Sequence, residues 1–172
     1  MQRREYLLGL AAVGSAGVGG YLLHTREAGS AQIEPQSVAM LTGTESERRV
    51  PTHNAISVLE FFSTTCAGCP EQTAALEPFA GEADLHLLSL TPQAIGDEVT
   101  RAEVLRWWDS HGGNWPVGVA NGDLVSALGI TRLPAVAILA PTGAVHWIGN
   151  GVGTAAIREQ IDRARAAVAA SA

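Results

Sequence analysis

Phe61-Phe62-Ser63-Thr64-Thr65-Cys66-Ala67-Gly68-Cys69-Pro70-Glu71-Gln72 is the stretch that decides the architecture of this chain. Immediately upstream, residues 55–62 form a largely apolar run that carries one acid, Glu60. A short, continuous apolar run of this kind suits a central strand covered on both faces. Downstream, Ala74, Ala75, Leu76 and Phe79 recur at helical spacing, so residues 72–79 read as a helix. The two cysteines, the only ones in the chain, therefore lie where a buried strand gives way to a helix. Unpaired amide hydrogens and the positive end of the dipole favour an anion at a helix start. A thiolate is such an anion, so the thiol of Cys66 is expected to ionise below its free value of about 8.5. Cys69 is one turn further on the same side, and the two sulfurs can close a small disulfide ring with little backbone movement. Pro70 falls in the first turn, where its missing N–H sacrifices no helical bond. Such a pair performs thiol–disulfide exchange: Cys66 attacks a partner disulfide, and Cys69 then displaces the partner from Cys66.

Further along, residues 84–90 read as a strand and 101–111 as a helix stopped by Gly112-Gly113. Residues 116–120 are a short strand, and 123–128 a short helix closed by Gly129. Residues 134–140 and 144–148 read as strands joined by Pro141-Thr142-Gly143, and Thr154–Ala170 as a terminal amphipathic helix. Residues 32–50 read as a linker with one edge strand near 37–42, followed by a polar, turn-like segment at 44–49. The alternation predicts an α/β domain: a central mixed β-sheet flanked by helices on both faces, with the strand at 55–62 in the middle.

The chain has 172 residues and a net charge of −6; all of its cations are arginine. Its acidic balance excludes a general nucleic-acid binder, which needs basic surface. With 47% hydrophobic residues it has ample material for a packed core. The first 31 residues are expected to stand apart from the domain at 32–172, as a signal or a membrane anchor helix. Arg3-Arg4-Glu5-Tyr6-Leu7 resembles a twin-arginine export signal, and an uncharged stretch follows from Tyr6 to Leu23. As a helix that stretch would measure about 27 Å, near the thickness of a bilayer core. The domain is then expected on the extracytoplasmic side, anchored or released by cleavage.

Val58-Leu59-Glu60-Phe61-Phe62 followed by Cys66-Ala67-Gly68-Cys69-Pro70 resembles the active-site strand and helix of the thioredoxin superfamily. Gly129-Ile130-Thr131-Arg132-Leu133-Pro134-Ala135-Val136 resembles the segment carrying that superfamily's cis-proline, and residues 139–145 its closing hairpin. The exported start and the insertion at 101–116, an aromatic helix before Trp115-Pro116, resemble the TlpA/ResA-like branch of extracytoplasmic, membrane-tethered thiol–disulfide oxidoreductases. The resemblance implies a thioredoxin-like fold in which Cys66 is the exposed nucleophile and Cys69 the resolving thiol, the pair cycling as a disulfide with no other cofactor. Pro134 would be the cis-proline, and the backbone of Leu133 would pair with a bound peptide. Glu60 would be the buried acid that exchanges a proton with Cys69; the other reading of the residues is a strand acid that simply reaches solvent. The implied partners are proteins carrying disulfides or thiols, apocytochrome c among them, and a membrane thiol carrier as electron source. Two departures stand out: Thr65 replaces the tryptophan usual before the first cysteine, which bears on docking, and Leu133 replaces a frequent threonine. Ala67-Gly68 adds no charge to hold the thiolate, which points to a reductant.

Other uses of the cysteines need other partners. A structural zinc site requires two more ligands, and His24, His53, His86, His111 and His146 form no pair at three- or four-residue spacing. A copper-delivery protein using Cys66, Cys69 and a distant histidine is the alternative function. The four tryptophans are expected to pack in the core, with Trp107 and Trp108 on different helix faces.

Overall fold

A computed structural model describes residues 26–27 and 31–171. The expected signal or anchor stretch at 6–23 lies outside the described residues. Within the span assigned to that leader, β1 (Arg26–Glu27) pairs with the far edge of the sheet. The strands that follow are β2 (Gln36–Met40), β3 (Glu47–Val50), β4 (Ile56–Phe61), β5 (Leu85–Thr91), β6 (Val117–Val119), β7 (Ala135–Leu139) and β8 (Val145–Gly149). The helices are α1 (Cys69–Leu76), α2 (Arg101–Ser110), α3 (Gly122–Ala127) and α4 (Thr154–Ala170).

All eight strands form one sheet in the order β1-β8-β7-β4-β5-β6-β2-β3. β4 is central, as its apolar run predicts: all six of its residues are buried. It runs parallel to β5, reached through α1, and antiparallel to β7. Side chains alternate between faces along a strand, so β4 divides the core. Val58 and Phe62 join Cys69 and Leu76 of α1, Val104 and Trp108 of α2, and Ile157 and Ile161 of α4. Leu59 and Phe61 face the other way, towards Val38 and Met40 of β2 and Leu124 of α3. Each large apolar side chain removed from water in this way contributes about 1.5–3 kcal/mol.

Two expectations need correction. The polar segment at 44–49 is not a turn throughout; Glu47–Val50 forms β3, hydrogen-bonded to β2 at the sheet edge. An edge strand has one face in water, so a single buried residue, Val50, is enough to seat it. The strand near 37–42, expected at the edge, is flanked on both sides, by β3 and β6. On α2, Trp108 is buried and Trp107 partly exposed, as adjacent positions on different helix faces require; Phe62 stacks on Trp107 with ring centroids 4.9 Å apart and leans on Trp108 at 5.5 Å.

α2 opens with a capping box: Thr100 accepts from the Glu103 amide, and Glu103 accepts from the Thr100 amide at 2.8 Å. His86, in β5, has both ring nitrogens buried without a hydrogen-bond partner. Burial, helped by the nearby Arg48 cation, pushes it down to about 4, so it is neutral near neutral pH.

Candidate active site

β4 ends at Phe61, and the Phe62 amide still donates to Leu90 of the neighbouring strand at 3.1 Å. The chain then leaves the sheet. The Cys66 amide donates to the Ser63 carbonyl and the Cys69 amide to the Cys66 carbonyl, each at 3.2 Å, which folds residues 63–69 into a compact turn. α1 begins at Cys69, not at Cys66, with Gly68 as its cap and Pro70 in the first turn. Cys66 therefore lies in the turn between strand and helix, and the helix starts three residues ahead of the periodic stretch at 72–79. The two sulfurs are bonded at 2.19 Å, with Cα atoms 5.4 Å apart. Their surroundings differ: Cys66 is partly exposed, whereas Cys69 is fully buried among apolar side chains. An incoming group can reach only Cys66.

Pro134 closes one side of this turn. The Leu133–Pro134 bond is cis, and a Cβ placed on Gly68 would lie 3.5 Å from Pro134 Cδ. The proline ring thus rests against the residue between the cysteines. Leu133 is partly buried and touches both hydrophobic clusters. A second cis bond, Val50–Pro51, lies at the sheet edge.

The sequence gives no hint of the loop that holds these parts together. Asn150 Nδ2 donates to the carbonyls of Arg132 (3.0 Å) and Pro134 (2.9 Å), on either side of Leu133. Two residues on, the Val152 amide donates to Gln72 Oε1 at 2.9 Å, and Gln72 Nε2 donates to the Val152 carbonyl at 3.0 Å. Thr154 Oγ1 donates to the Ala75 carbonyl at 3.0 Å. One short loop grips both the proline segment and α1. Residues of a Gly-rich loop read as ordinary turn residues until their partners, between 16 and 80 positions away in sequence, are known.

Glu60 does not reach solvent. It is fully buried on the face of β4 that meets α1. Thr73 Oγ1 donates to its Oε1 at 2.9 Å, and Ser89 Oγ makes a short hydrogen bond to its Oε2. Burial raises the carboxyl to about 7, against the opposing pull of the Ser89 and Thr73 hydroxyls. Thr73 Oγ1 also lies 3.0 Å from the Cys69 carbonyl, so one hydroxyl connects the acid to the backbone of the buried cysteine.

Thr65 is exposed beside Cys66, its Oγ1 3.4 Å from Ser63 Oγ. Where the sequence lacks an aromatic before the cysteine, α2 brings one: Trp107 lines a groove with Thr64, Thr65 and Gln93. Gln93 Oε1 accepts from the Thr64 amide at 2.9 Å and so fixes the groove's floor next to the cysteine turn.

Solved structures share this overall fold. An exposed lipoprotein thioredoxin from Streptococcus pneumoniae superposes with a TM-score of 0.63 at 20% identity, over 76% of this chain and 99% of that one. The fold is thioredoxin-like. A thioredoxin-like protein from Aeropyrum pernix gives a TM-score of 0.63 at 12% identity, over 75% of this chain and 89% of that one. A secreted disulfide oxidoreductase from Mycobacterium tuberculosis gives 0.60 at 12% identity, over 74% and 95%. No protein-family model matches the sequence, and no curated protein matches it. Within this thioredoxin-like domain the cysteine pair, the cis-proline and the buried acid occupy one end of the sheet. Among the described residues no three His, Cys, Asp or Glu side chains gather as a metal site.

Proposed function

We propose that this protein is a thiol–disulfide oxidoreductase that reduces disulfides of other proteins. The observation that carries this reading is the asymmetry of one bonded pair: Cys66 partly open, Cys69 enclosed, and a cis-proline resting against Gly68 in the turn that joins them. In the reduced state the Cys66 thiolate attacks a substrate disulfide. An S–S bond forms to one substrate sulfur, and the other leaves as a thiolate. Cys69 gives its proton to Glu60 and attacks Cys66, the mixed disulfide breaks, and the second substrate thiolate departs. Two electrons have moved to the substrate, and the pair is again the disulfide seen here. An external dithiol resets it.

The peptide of the substrate would lie along Leu133 in strand fashion, with Thr65 and the Trp107 groove on the other side. Export, with tethering or cleavage at the N-terminal segment, is the location that suits this chemistry. The twin-arginine-like start supports it, as do the secreted and exposed proteins of the same fold. No described helix is long and apolar enough to cross a membrane. A membrane thiol carrier as the external dithiol, and apocytochrome c among the clients, follow from the TlpA/ResA-like resemblance.

Insulin reduction by dithiothreitol tests the activity. The wild-type protein should hasten precipitation of the insulin B chain, and Cys66→Ser should give the uncatalysed rate. Tight stoichiometric Cu(I) binding without any acceleration would overturn the proposal in favour of copper delivery.

The loop clamp makes a separate prediction. Asn150→Ala removes two hydrogen bonds that hold the Leu133 backbone in position. At roughly 1 kcal/mol each, KM for a protein disulfide is expected to rise by about tenfold or more. The rate with a small aromatic disulfide, which needs no strand pairing, should change little.

A further inference from the structure

Glu60 sits in a hydrogen-bond chain whose donors and acceptors can be assigned. Trp115 Nε1 donates to Ser89 Oγ at 2.9 Å. An indole nitrogen only donates, so the serine oxygen must accept there, and its own proton is left to point at its other partner, Glu60 Oε2. Trp115 cannot easily turn away. It is buried, its ring meets Trp108 edge-on at 4.9 Å, and its carbonyl accepts from Trp108 Nε1 at 3.2 Å. A proton placed on Oε2 would compete with the one Ser89 already aims there. On the other side, Thr73 Oγ1 has one proton and two acceptors within reach, Glu60 Oε1 and the Cys69 carbonyl.

We propose that Trp115, Ser89 and Thr73 are positioning residues that dictate which oxygen of Glu60 carries its proton: Trp115 and Ser89 hold Oε2 as the acceptor, so the proton resides on Oε1. With Glu60 ionised, Thr73 donates to Oε1. With Glu60 protonated, Oε1–H donates to Thr73, whose own hydroxyl proton turns to the Cys69 carbonyl. The acid therefore presents its proton on the side of α1, where Cys69 resides, and the orientation of one threonine hydroxyl reports its charge state.

The surroundings leave few other influences. Beside Glu60 in the sheet stand Ser89 of β5 and Val136 of β7. α1 turns Cys69, Thr73 and Leu76 inward while Glu71 is exposed, and α4 contributes Ile157 and Ile161. α2 contributes Val104 and Trp108 to the same cluster. His86 lies on the opposite face of β5 by strand alternation. The remaining titratable neighbour, Cys69, is bonded in the oxidised protein, so Glu60 can be titrated by itself in that state.

Infrared difference spectroscopy of the oxidised full chain against pH provides the test. The C=O band of the protonated carboxyl is identified by its loss in Glu60→Gln. If Oε2 is the carbonyl oxygen and Ser89 its donor, Ser89→Ala should move that band to higher frequency and its midpoint up by about one pH unit. Trp115→Phe, which keeps the serine but frees its rotor, should move both the same way by less. Thr73→Val should raise the midpoint, and Thr73→Ser should restore it. A band and midpoint indifferent to Ser89→Ala and Trp115→Phe would overturn the proposal, as would failure of Thr73→Ser to restore.

The inference deepens the proposed exchange reaction and rests on it only for its kinetic consequence: the pH dependence of the resolving step should follow the infrared midpoint across these variants. A protein without exchange activity whose band responds as stated would refute the functional reading and keep the proton assignment. Normal exchange with an unresponsive band would do the reverse.

Discussion

Replacing Cys69 with serine is expected to turn the protein into a trap. Cys66 remains partly exposed beside the cis-proline and should still attack a substrate disulfide, but nothing stands behind it to displace the guest. The mixed disulfide should therefore accumulate at one substrate per molecule, visible on a non-reducing gel and dispersed by excess dithiothreitol. Turnover should fall by on the order of a thousandfold or more, as removing one member of a cooperating catalytic set does elsewhere. Cys66→Ser should lose turnover to a similar degree and yet trap nothing, because Cys69 is fully enclosed. The difference between the two variants reads the order of attack directly. Equal trapping by both would overturn the difference in access between the two sulfurs, and trapping by Cys66→Ser alone would reverse their roles.

Glu60→Gln is expected to make the protein more stable at neutral and alkaline pH. In the folded chain the carboxyl ionises at about 7, against an ordinary value of 4.5. Between those values the unfolded chain has released the proton and the folded chain still holds it. Stability therefore falls as pH rises through this window and levels off above about 7. The loss at high pH amounts to about 3 kcal/mol at 1.36 kcal/mol per pH unit. A glutamine carries no charge to bury, and its amide can bond to the same two hydroxyls. The gain from Glu60→Gln should be small below pH 4.5 and approach that figure at pH 8, measured by urea unfolding of the oxidised proteins. His86 acts in the opposite sense: its value falls from 6.5 to about 4 on folding, so stability rises with pH across that interval. Both proteins contain it, and it cancels in the comparison. A gain that does not depend on pH would mean that Glu60 folds with an ordinary carboxyl. Since the same substitution should slow the resolving step, stability and turnover are expected to move in opposite directions.

Most of the scaffold could be read from the sequence because its signals were local. The largely apolar run of β4, the glycines after α2 and α3, and the Pro141-Thr142-Gly143 turn all act over a few residues. β3 escaped notice because Glu47–Val50 has one inward residue and no apolar alternation to detect. α1 starts at Cys69, three residues before the apolar spacing that marks 72–79, because Pro70 and Glu71 in its first turn carry no apolar periodicity. At the site, the spacing of the cysteines and a proline after Leu133 are visible in any reading of the chain. The partners of Glu60 are not: Thr73 is 13 residues away and Ser89 is 29, and each is an ordinary hydroxyl among many. The separate faces of Trp107 and Trp108 follow from helix arithmetic, whereas their shared neighbour Phe62 does not, because it lies on another element.

The loop at 150–154 has one more consequence. It contains no sulfur, acid or aromatic, yet it acts as a spacer gauge, because its two grips fix how far the helix stands from the segment opposite. Lengthening or stiffening those few residues would widen or narrow the slot for bulkier or slimmer guests. Selectivity could thus be retuned there while the reacting atoms stay untouched.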